Sequence, residues 1–398
     1  CNFGSTGNIM VNIAEYARKS NLLYFTSCPD GRSMHKRELS DHLYIGNRLS
    51  RNLHIQLAKL TGMNGCYSRY ATKHFLQKIE EFTPNLIHLH NLHNCYINIP
   101  MLFSYIKMNQ IPVVWTLHDC WAFTGQCPHF NMVGCDKWKN GCYDCPQYRD
   151  YPESYVDRTK IMYELKKKWF TGVKNLTIVT PSKWLASLVS QSYLKDYPIK
   201  VINNGIDLNI FKPIPSDFSE KYKLNSKYIV LGVAIGWGKR KGLDVFIELS
   251  KRLDKDRYQI VLVGTDEETD KQIPKDVITV HRTQNQTELA KIYSASDVFV
   301  NPTREENFPT VNIESLACGT PVITFRTGGS PEIIDEKTGT VVECNDIDTM
   351  EREIIRICEK KPYSEEACLE RAKIFDMNDR FREYIALYDE IIIDKYKG

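Results

Sequence analysis

Two acidic side chains with a defined spacing carry the clearest chemical signal in the sequence. Glu306 and Glu314 are separated by seven residues. The apolar run from Val298 to Val300 predicts a buried parallel strand just before them. Pro309 is typical of the first position of a helix, and Gly319 of the position after its end. Glu306 is therefore predicted on the loop at the carboxyl end of a strand, and Glu314 in the second turn of the next helix.

The start of that predicted helix adds an element that attracts anions. Open α/β sheets bind ligands at the carboxyl ends of their strands, and the amides at a helix N-terminus favour negative charge. A nucleotide-sugar fits such a site. Its diphosphate is the anion, and the ribose and the sugar on either side carry hydroxyl groups that can donate to the two carboxylates. We expect four residues to contact such a ligand: Asn307, Phe308, Pro309, which has no amide hydrogen to donate, and Thr310.

A basic cluster precedes this segment in the chain. The run Lys239 to Lys241 follows a predicted strand that ends at Val233. Cations at this place can neutralise a departing diphosphate, which many transferases achieve with a divalent metal; the alternative is a solvated basic loop. The pattern Asp346-Ile-Asp348 resembles a metal-binding pair, but Asp348 is more simply interpreted as a helix N-cap. The sequence therefore favours catalysis that needs no metal cofactor.

Further short motifs follow one another along the chain. They are Gly4-Ser-Thr-Gly7, Thr116-Leu-His-Asp119, Thr180-Pro-Ser-Lys-Trp184, Asn203-Asn-Gly-Ile-Asp207, Leu262-Val-Gly264 and Tyr293-Ser-Ala-Ser-Asp297. In their order and spacing they resemble the family 4 retaining glycosyltransferases over nearly the whole chain. The resemblance implies an α/β protein of GT-B architecture, with two Rossmann-like, doubly wound parallel-sheet domains that face a central cleft. It also implies a nucleoside-diphosphate sugar as donor and a glycan or lipid-linked glycan as acceptor.

The length and the alternation of strands with helices also predict two domains. We place an acceptor-side domain at 1–203 and a donor-binding domain at 204–377, and by the resemblance the last helix, 378–398, returns to the first domain. The abrupt start at Cys1 leads us to expect further residues ahead of it. Predicted strands of the first domain are Leu22 to Thr26, Leu86 to Leu89, Val113 to Leu117, Leu176 to Thr180 and Lys200 to Ile202. Those of the second are Ile229 to Val233, Tyr258 to Val263, Ile278 to Val280, Val298 to Val300 and Val322 to Phe325.

The resemblance assigns roles to individual residues of the donor site. Glu314 matches the carboxylate that binds the ribose, and Glu306 lies nearer the transferred sugar. The family clamps the phosphates with an Arg and a Lys five residues apart. Lys241 matches the Lys, whereas Gly236 stands at the Arg position, so Arg240 is assigned as the substitute. Without the resemblance, Glu314 would be interpreted as an exposed helix residue.

Three further elements complete the predicted site. By the resemblance, the base of the donor lies against the loop that holds Arg282. His118, at the end of an apolar strand, matches a histidine that orients the donor sugar; a hydrogen-bonded core histidine is the alternative. Gly4 and Gly7 allow the close backbone approach that a diphosphate or an acceptor requires. The predicted catalytic group is His118, Glu306 and Lys241.

The resemblance implies retention of configuration at the anomeric carbon. In a same-face route the leaving phosphate takes the acceptor's proton, and we favour this route because no second carboxylate obviously faces Glu306. The alternative is a covalent intermediate with Glu306 as the nucleophile. Two other functions stay open: a GT-B enzyme of another type, such as a sugar-nucleotide epimerase or a phosphorylase, and a non-catalytic paralogue that binds sugar-nucleotides.

Five of the thirteen cysteines are concentrated in a predicted insertion at 120–150. In a cytosolic enzyme such density favours a structural zinc site over disulfides; free buried thiols and disulfides are the alternatives. The predicted ligands are Cys127, Cys135, Cys142 and Cys145. His88, His90 and His93 also invite a metal interpretation, because i and i+2 share a strand face, but we favour a place in the acceptor cleft for them.

Bulk properties limit the compartment and the partners. A net charge of +3 argues against a dedicated nucleic-acid binder, and the other cysteines lack the spacing of a disulfide scaffold, which suits a reducing cytosol. The segment Asp157 to Phe170 is basic and amphipathic, with Ile161, Leu165 and Trp169 on one face. Such a helix lies on an anionic membrane surface or packs on the first domain. We expect a cytoplasmic protein that is peripheral at the inner face of the cell membrane.

Overall fold

The computed structural model describes residues 4–30, 41–224 and 226–397. Contacts between Cα atoms divide the chain into two compact units. The N-unit comprises Cys1–Ile202 and Phe381–Gly398, and the C-unit comprises Asn203–Arg380. Cys1, ahead of which the sequence analysis expects further residues, lies outside the described residues.

The N-unit alternates strands with helices. Its helices are α1 (Gly4–Lys19), α2 (Arg48–Thr61), α3 (Arg69–Phe82), α4 (Ile99–Asn109), α5 (Thr159–Phe170) and α6 (Lys183–Val189). Its strands are β1 (Thr26–Pro29), β2 (His42–Ile45), β3 (Ile87–Leu89), β4 (Val113–Thr116), β5 (Leu176–Thr180) and β6 (Ile199–Val201). β1 and β2 form a two-stranded parallel sheet, and β3 to β6 form a parallel sheet in the order β3-β4-β5-β6.

The first predicted strand of the N-unit is wrong. The apolar run that begins at Leu22 is coil except for Thr26, and Leu23 is 94% exposed. The strand runs from Thr26 to Pro29, because these residues pair with His42 to Ile45, a strand that the sequence analysis missed. An apolar run becomes a buried strand only where the fold supplies a neighbouring strand and a covering layer.

Aromatic packing fixes the larger sheet of the N-unit against its helices. Trp115 in β4 packs on Phe103 of α4 and Phe170 of α5, with ring centroids 5.6 and 4.8 Å away. All three side chains are essentially inaccessible to water. This packing anchors β4, whose carboxyl end leads directly to His118, one of the predicted catalytic residues.

The C-unit is a single parallel sheet with its helices. The helices are α7 (Phe218–Lys221), α8 (Leu243–Arg252), α9 (Glu267–Asp270), α10 (Gln286–Ser294), α11 (Thr310–Ala317), α12 (Ile347–Lys360) and α13 (Glu365–Lys373). The strands are β7 (Tyr228–Val233), β8 (Tyr258–Val263), β9 (Ile278–Val280), β10 (Val298–Asn301), β11 (Val322–Phe325) and β12 (Gly339–Val342). Their order is β12-β11-β10-β7-β8-β9. All five predicted strands of this unit are confirmed, and β12 was missed.

Both faces of this sheet are buried. Leu231 and Phe299 belong to one apolar cluster, whereas their chain neighbours Val230 and Val300 belong to another. Successive residues of a strand point to opposite faces, so the sheet has a hydrophobic layer on each side. This explains why its strands are mostly apolar.

The start of α12 corrects one sequence prediction. Asp346, not Asp348, is the N-cap: its side chain accepts from the amide of Thr349 at 2.9 Å. Asp348 lies within the first turn and forms an ion pair with Arg252. Either aspartate can precede a helix in the sequence, and the helix begins two residues earlier than predicted.

The last helix, α14 (Met377–Lys397), begins in the C-unit, and its residues from Phe381 onward belong to the N-unit. Within the N-unit, Tyr388 lies 2.6 Å from Nδ1 of His88, and Tyr384 lies 3.2 Å from the hydroxyl of Thr116. These polar contacts join the helix to β3 and β4.

Candidate active site

The carboxyl ends of β7 and β10 mark the point where the strand order of the C-unit reverses. These two strands pair directly, with Val230 opposite Val298 and Leu231 opposite Phe299. The sheet continues through β8 and β9 on one side of this pair and through β11 and β12 on the other. Open α/β sheets bind ligands at such a switch point. The two loops that leave it carry the predicted catalytic residues of this unit.

Lys241 and Glu306 contact each other at the switch point. Nζ of Lys241 lies 2.6 Å from Oε2 of Glu306, and the two side chains are 18% and 24% exposed. The amide of Asn307 donates to Oε1 of Glu306 at 3.1 Å. The structure therefore brings together three predicted site residues from two separate loops.

Arg304 supports the loop that carries Lys241. Its guanidinium donates to both carboxylate oxygens of Asp244, each at 2.8 Å, and to the carbonyl of Lys239. Its own amide donates to the carbonyl of Arg240 at 2.9 Å. The carbonyl of Lys239 is thus held by the side chain of Arg304, which is 9% exposed, and the carbonyl of Arg240 by the backbone amide of Arg304. The sequence analysis missed this residue, since its partners are remote in the chain.

Gly242 allows this loop to approach the end of β10. Its φ of +78° lies in the left-handed region, which glycine adopts at little cost. A Cβ atom at this position would lie 2.5 Å from the carbonyl oxygen of Pro302. Any side chain here would push the two loops apart, so the glycine after Lys241 is a requirement of the site's geometry.

Glu314 lies in the second turn of α11, as predicted. The hydroxyl of Tyr293 donates to its Oε2 at 3.4 Å, and the hydroxyl of Thr310 is a second partner. Burial raises the pKa of Glu314 to about 7, although both hydroxyls act in the opposite direction. Near neutral pH this carboxyl group is therefore only partly ionised.

The loop before α11 contains predicted donor contacts with different environments. Pro309 is the N-cap of α11 and not its first helical residue, so the helix begins one residue later than predicted. No side-chain hydrogen bond caps the helix. Phe308 is a core residue that packs on Phe375, with ring centroids 5.7 Å apart, and its carbonyl accepts from Asn204. Only the backbone of Phe308 is therefore suited to contact a ligand.

Arg240 and Arg282 lie on separate loops of the C-unit. The exposed Arg240 follows β7, and its Nη1 lies 3.4 Å from the carbonyl of Glu305. Arg282 is exposed and follows β9, the edge strand two positions from β7. Arg240 thus joins the group around Lys241, whereas Arg282 belongs to a more distant loop of the same sheet edge.

In the N-unit, His118 and His90 stack at the carboxyl ends of β4 and β3. Nε2 of His118 lies 2.9 Å from Nδ1 of His90, and the ring centroids are 5.3 Å apart. Burial lowers the pKa of His118 to about 4 and that of His90 well below its usual value. Two neutral imidazoles can share the one proton that this contact needs. His118 is thus a neutral hydrogen-bonding group at physiological pH.

The other two histidines of the predicted group have different partners. Both ring nitrogens of His88 contact hydroxyl groups, those of Tyr388 and Thr116, at 2.6 and 2.8 Å. His93 lies away from this pair and contacts Asp119, with Nε2 at 3.0 Å from Oδ2. Its other nitrogen, Nδ1, lies 3.0 Å from the hydroxyl of Tyr151. The sequence analysis quoted Asp119 in a motif but gave it no role, and no short-range pattern links it to Tyr151.

Gly4 and Gly7 lie in the first turn of α1, rather than in a turn that precedes the helix. Gly7 is buried. The local conformation of these two glycines therefore differs from the predicted one. The first turn of a helix also presents backbone amides, and the predicted approach of a diphosphate or an acceptor to this segment stays a prediction.

The four cysteines predicted to bind zinc line one small cavity of the N-unit. Cys127, Cys135, Cys142 and Cys145 are all free thiols. The amide of Gly125 donates to Sγ of Cys142 at 3.1 Å. Across residues 4–30, 41–224 and 226–397, no three His, Cys, Asp or Glu side chains are grouped as they would be to hold a metal ion. The zinc interpretation stays a prediction.

The basic amphipathic segment forms α5, but its buried face differs from the predicted one. Ile161 is 43% exposed, and Leu165 and Trp169 are half-buried. The buried residues are Thr159, Met162, Tyr163, Lys166 and Phe170. The pattern misled because Lys166 is buried: its ammonium donates to the carbonyls of Trp121 and Thr124. Within the part of the chain that the structure describes, no helix is long and apolar enough to cross a membrane.

Known proteins resemble the chain along both units. The family model "Glycosyltransferase Family 4" matches residues 14–210, and the model "Glycosyl transferases group 1" matches residues 216–374. A relative from Escherichia coli K12, WcaC, is provisionally named a colanic acid biosynthesis glycosyl transferase; it is 27% identical over 271 residues. That match covers 65% of this chain and 64% of WcaC, so the chain spans less than two thirds of that relative.

Solved structures share the fold at low sequence identity. Sucrose-phosphate synthase from Thermosynechococcus elongatus superposes with a TM-score of 0.72 at 19% identity, over 98% of this chain and 94% of that one. HepE of Anabaena, in complex with UDP, superposes with a TM-score of 0.64 at 15% identity, over 97% and 96%. The predicted fold class is confirmed: the chain belongs to glycosyltransferase family 4 and has the GT-B fold.

Proposed function

We propose that the protein is a retaining, metal-independent glycosyltransferase that transfers a hexosyl or N-acetylhexosaminyl group from a nucleoside-diphosphate sugar. The Lys241–Glu306 pair at the switch point of the C-unit is the observation that carries this proposal. A partly shielded cation at the carboxyl ends of parallel strands can stabilise a diphosphate leaving group without a divalent ion.

The residues of the C-unit would divide the donor between them. Lys241 and Arg240 contact the diphosphate, and Glu314 accepts hydrogen bonds from the ribose hydroxyls. Glu306 contacts the sugar and holds Lys241 in place through their 2.6 Å contact. His118 of the N-unit, neutral at physiological pH, contributes a hydrogen bond to the donor sugar rather than a charge.

The reaction that fits this set is same-face substitution. The bond between the anomeric carbon and the leaving oxygen breaks while the acceptor oxygen bonds to the same face, and the leaving phosphate takes the acceptor's proton. No side chain then has to act as base. The alternative is attack by Glu306, but the contacts of its two oxygens with Lys241 and the amide of Asn307 stabilise the carboxylate and so lower its nucleophilicity.

The acceptor is proposed to be a glycan or lipid-linked glycan of surface polysaccharide biosynthesis. The name of the E. coli relative, which refers to colanic acid biosynthesis, supports this setting. A cytoplasmic place is supported by the described cysteines, which are all free. We also propose peripheral attachment to an anionic membrane through the exposed side of α5, which carries Lys167 and Lys168 next to Ile161.

A thermal-shift screen of nucleotide-sugars tests the donor site, because a cognate donor stabilises the folded state by mass action. Transfer of the sugar to an alkyl glycoside, followed by mass spectrometry with and without EDTA, tests the reaction. We expect transfer that is insensitive to the chelator. Loss of transfer in EDTA from a chain that stays folded would contradict metal independence, and stabilisation without transfer to any acceptor would favour a binding paralogue.

A further inference from the structure

A second polar group in the N-unit is built around Asp119, the residue after His118. Oδ1 of Asp119 accepts from the amide of Trp121 at 2.9 Å, and Oδ2 contacts Nε2 of His93 at 3.0 Å. Nδ1 of His93 lies 3.0 Å from the hydroxyl of Tyr151. Asp119 and His93 are 13% and 5% exposed, whereas Tyr151, at the far end of this chain of contacts, is 57% exposed.

The directions of the hydrogen bonds follow from the carboxyl group. Burial alone would raise the pKa of Asp119, but the charge of His93 and its hydrogen bond dominate and lower it to about 2. An ionised carboxylate only accepts, so Nε2 of His93 must carry the hydrogen that points to Asp119. This fixes the ring plane of His93 and aims Nδ1 at Tyr151.

The hydroxyl of Tyr151 has two protein partners and room for a third. It donates to Oδ1 of Asn94 at 2.9 Å and contacts Nδ1 of His93 at 3.0 Å. A phenol can donate once and accept twice, so at least one further hydrogen bond is open to it. The hydroxyl is therefore oriented by His93 and Asn94, while the residue as a whole is 57% exposed.

Tyr151 is suited to a neutral hydroxylated ligand. Burial and the nearby Asp119 carboxylate raise the pKa of Tyr151 to about 12, so the phenol stays neutral and cannot act as a base. An exposed ring with a fixed polar end offers an apolar surface and one directed hydrogen bond, which matches the mixed surface of a sugar ring. An anionic ligand is disfavoured by the carboxylate of Asp119 behind the histidine.

We propose that Tyr151 is an acceptor-binding residue, which hydrogen-bonds a hydroxyl of the acceptor sugar, and that His93 and Asp119 are positioning residues that orient it. This inference rests on the proposed glycosyltransferase function and assigns an acceptor contact to the N-unit. No bond is made or broken by the group. It lies at the carboxyl ends of β3 and β4, beside the His90–His118 pair in sequence.

The test is steady-state transfer from the donor found by the nucleotide-sugar screen to a panel of octyl glycosides, with Tyr151→Phe compared with Tyr155→Phe. Tyr155 is a matched control because it is 54% exposed and lies in the same segment. We expect Tyr151→Phe to raise the acceptor KM about tenfold, which one lost hydrogen bond can cause. The donor KM should not change, and Tyr155→Phe should behave like the parent chain.

The positioning role is tested at His93. In His93→Gln, the amide nitrogen can donate to Asp119, and the amide oxygen can accept from Tyr151 once the hydroxyl hydrogen turns from Asn94 to it. This variant should therefore keep an acceptor KM within about threefold of the parent, whereas His93→Ala should match Tyr151→Phe. An unchanged acceptor KM in Tyr151→Phe overturns the inference, as does a fall in kcat alone. Failure of the proposed function is distinct, because then the parent chain itself binds no nucleoside diphosphate by calorimetry.

Discussion

The contact between Lys241 and Glu306 leads to a quantitative prediction for Lys241→Met, which removes the charge and keeps most of the side-chain volume. The Nζ–Oε2 distance is 2.6 Å, and both side chains are at most a quarter exposed. Two unit charges 4 Å apart interact by about 1 kcal/mol in water and about 4 kcal/mol at the effective dielectric of a protein surface. For a leaving diphosphate near Lys241 we expect an intermediate value of about 2.7 kcal/mol, which is about a hundredfold in kcat.

The assay is release of nucleoside diphosphate under multiple turnover with the donor identified by thermal shift. Lys239→Met is the matched control: Lys239 lies in the same short turn, is exposed, and contacts Arg304 only through its backbone carbonyl. The control should retain kcat within about twofold. A loss of less than threefold in Lys241→Met, or an equal loss in both variants, would refute the assignment of leaving-group stabilisation to Lys241.

Lys241→Met also leaves Glu306 without its cation, and this second effect can be separated. A partly buried carboxylate that loses its partner is destabilised. If that were the whole cause, Lys241→Met would cost no activity in a Glu306→Gln background, whose own loss is measured separately. We expect the loss to persist in that background, because the missing charge acts on the diphosphate, and a double-mutant cycle measures the difference.

Three further predictions concern the support of the site, its ionisation and its cysteines. Arg304→Ala should lower the free energy of unfolding by about 2 kcal/mol in urea denaturation, because it breaks an ion pair in which Arg304 is 9% and Asp244 is 50% exposed. The control is Arg326→Ala, which breaks an exposed ion pair with Glu343 and should change the free energy of unfolding by less than about 0.5 kcal/mol. Burial raises the pKa of Glu314 to about 7, so the accepting carboxylate becomes protonated as the pH falls from 8 to 6. The Kd for nucleoside diphosphate should therefore rise by roughly fivefold to tenfold over this range. Calorimetry of Glu314→Gln should show a Kd that does not change with pH, and the same result in the parent chain would contradict the ribose contact. If the four thiols that line one cavity bind zinc, elemental analysis should find about one zinc ion per chain, and Cys142→Ser should contain no zinc. Parent protein that is purified without chelator and contains no zinc would reject the zinc site.

The C-unit could be read from the sequence because its strands are buried on both faces. Val230 and Leu231 point into different apolar clusters, so no polar residue interrupts the run, and length with apolar content is enough to predict the strand. The same reasoning placed Glu306 and Glu314 correctly on the loop and helix after β10. These predictions needed only local information.

The parts that failed or were missed depend on contacts between remote residues. The run at Leu22 is as apolar as a core strand, yet the strand begins at Thr26, where a partner strand exists. His93 and Tyr151 are 58 residues apart, and Arg304 and Asp244 are 60 apart. A buried lysine such as Lys166 looks like a solvated residue in any sequence pattern, because its partners are backbone carbonyls. Pairings of this kind become visible only when the chain is folded.

The backbone at Gly236 gives a reason why this chain has no arginine at the position where the family pattern has one. Gly236 has φ of +72°, a left-handed conformation in which a residue with a Cβ is strained, although a Cβ there would meet no neighbouring atom within 4 Å. The obstacle to an arginine is therefore the backbone bend and not a lack of space. A loop that bends in this way has to take its second cation from a residue without that restriction. Arg240 meets the condition: it lies one residue before Lys241, and its guanidinium reaches the carbonyl of Glu305. The bend at Gly236 therefore supports the proposal that Arg240 is the second cation of this loop.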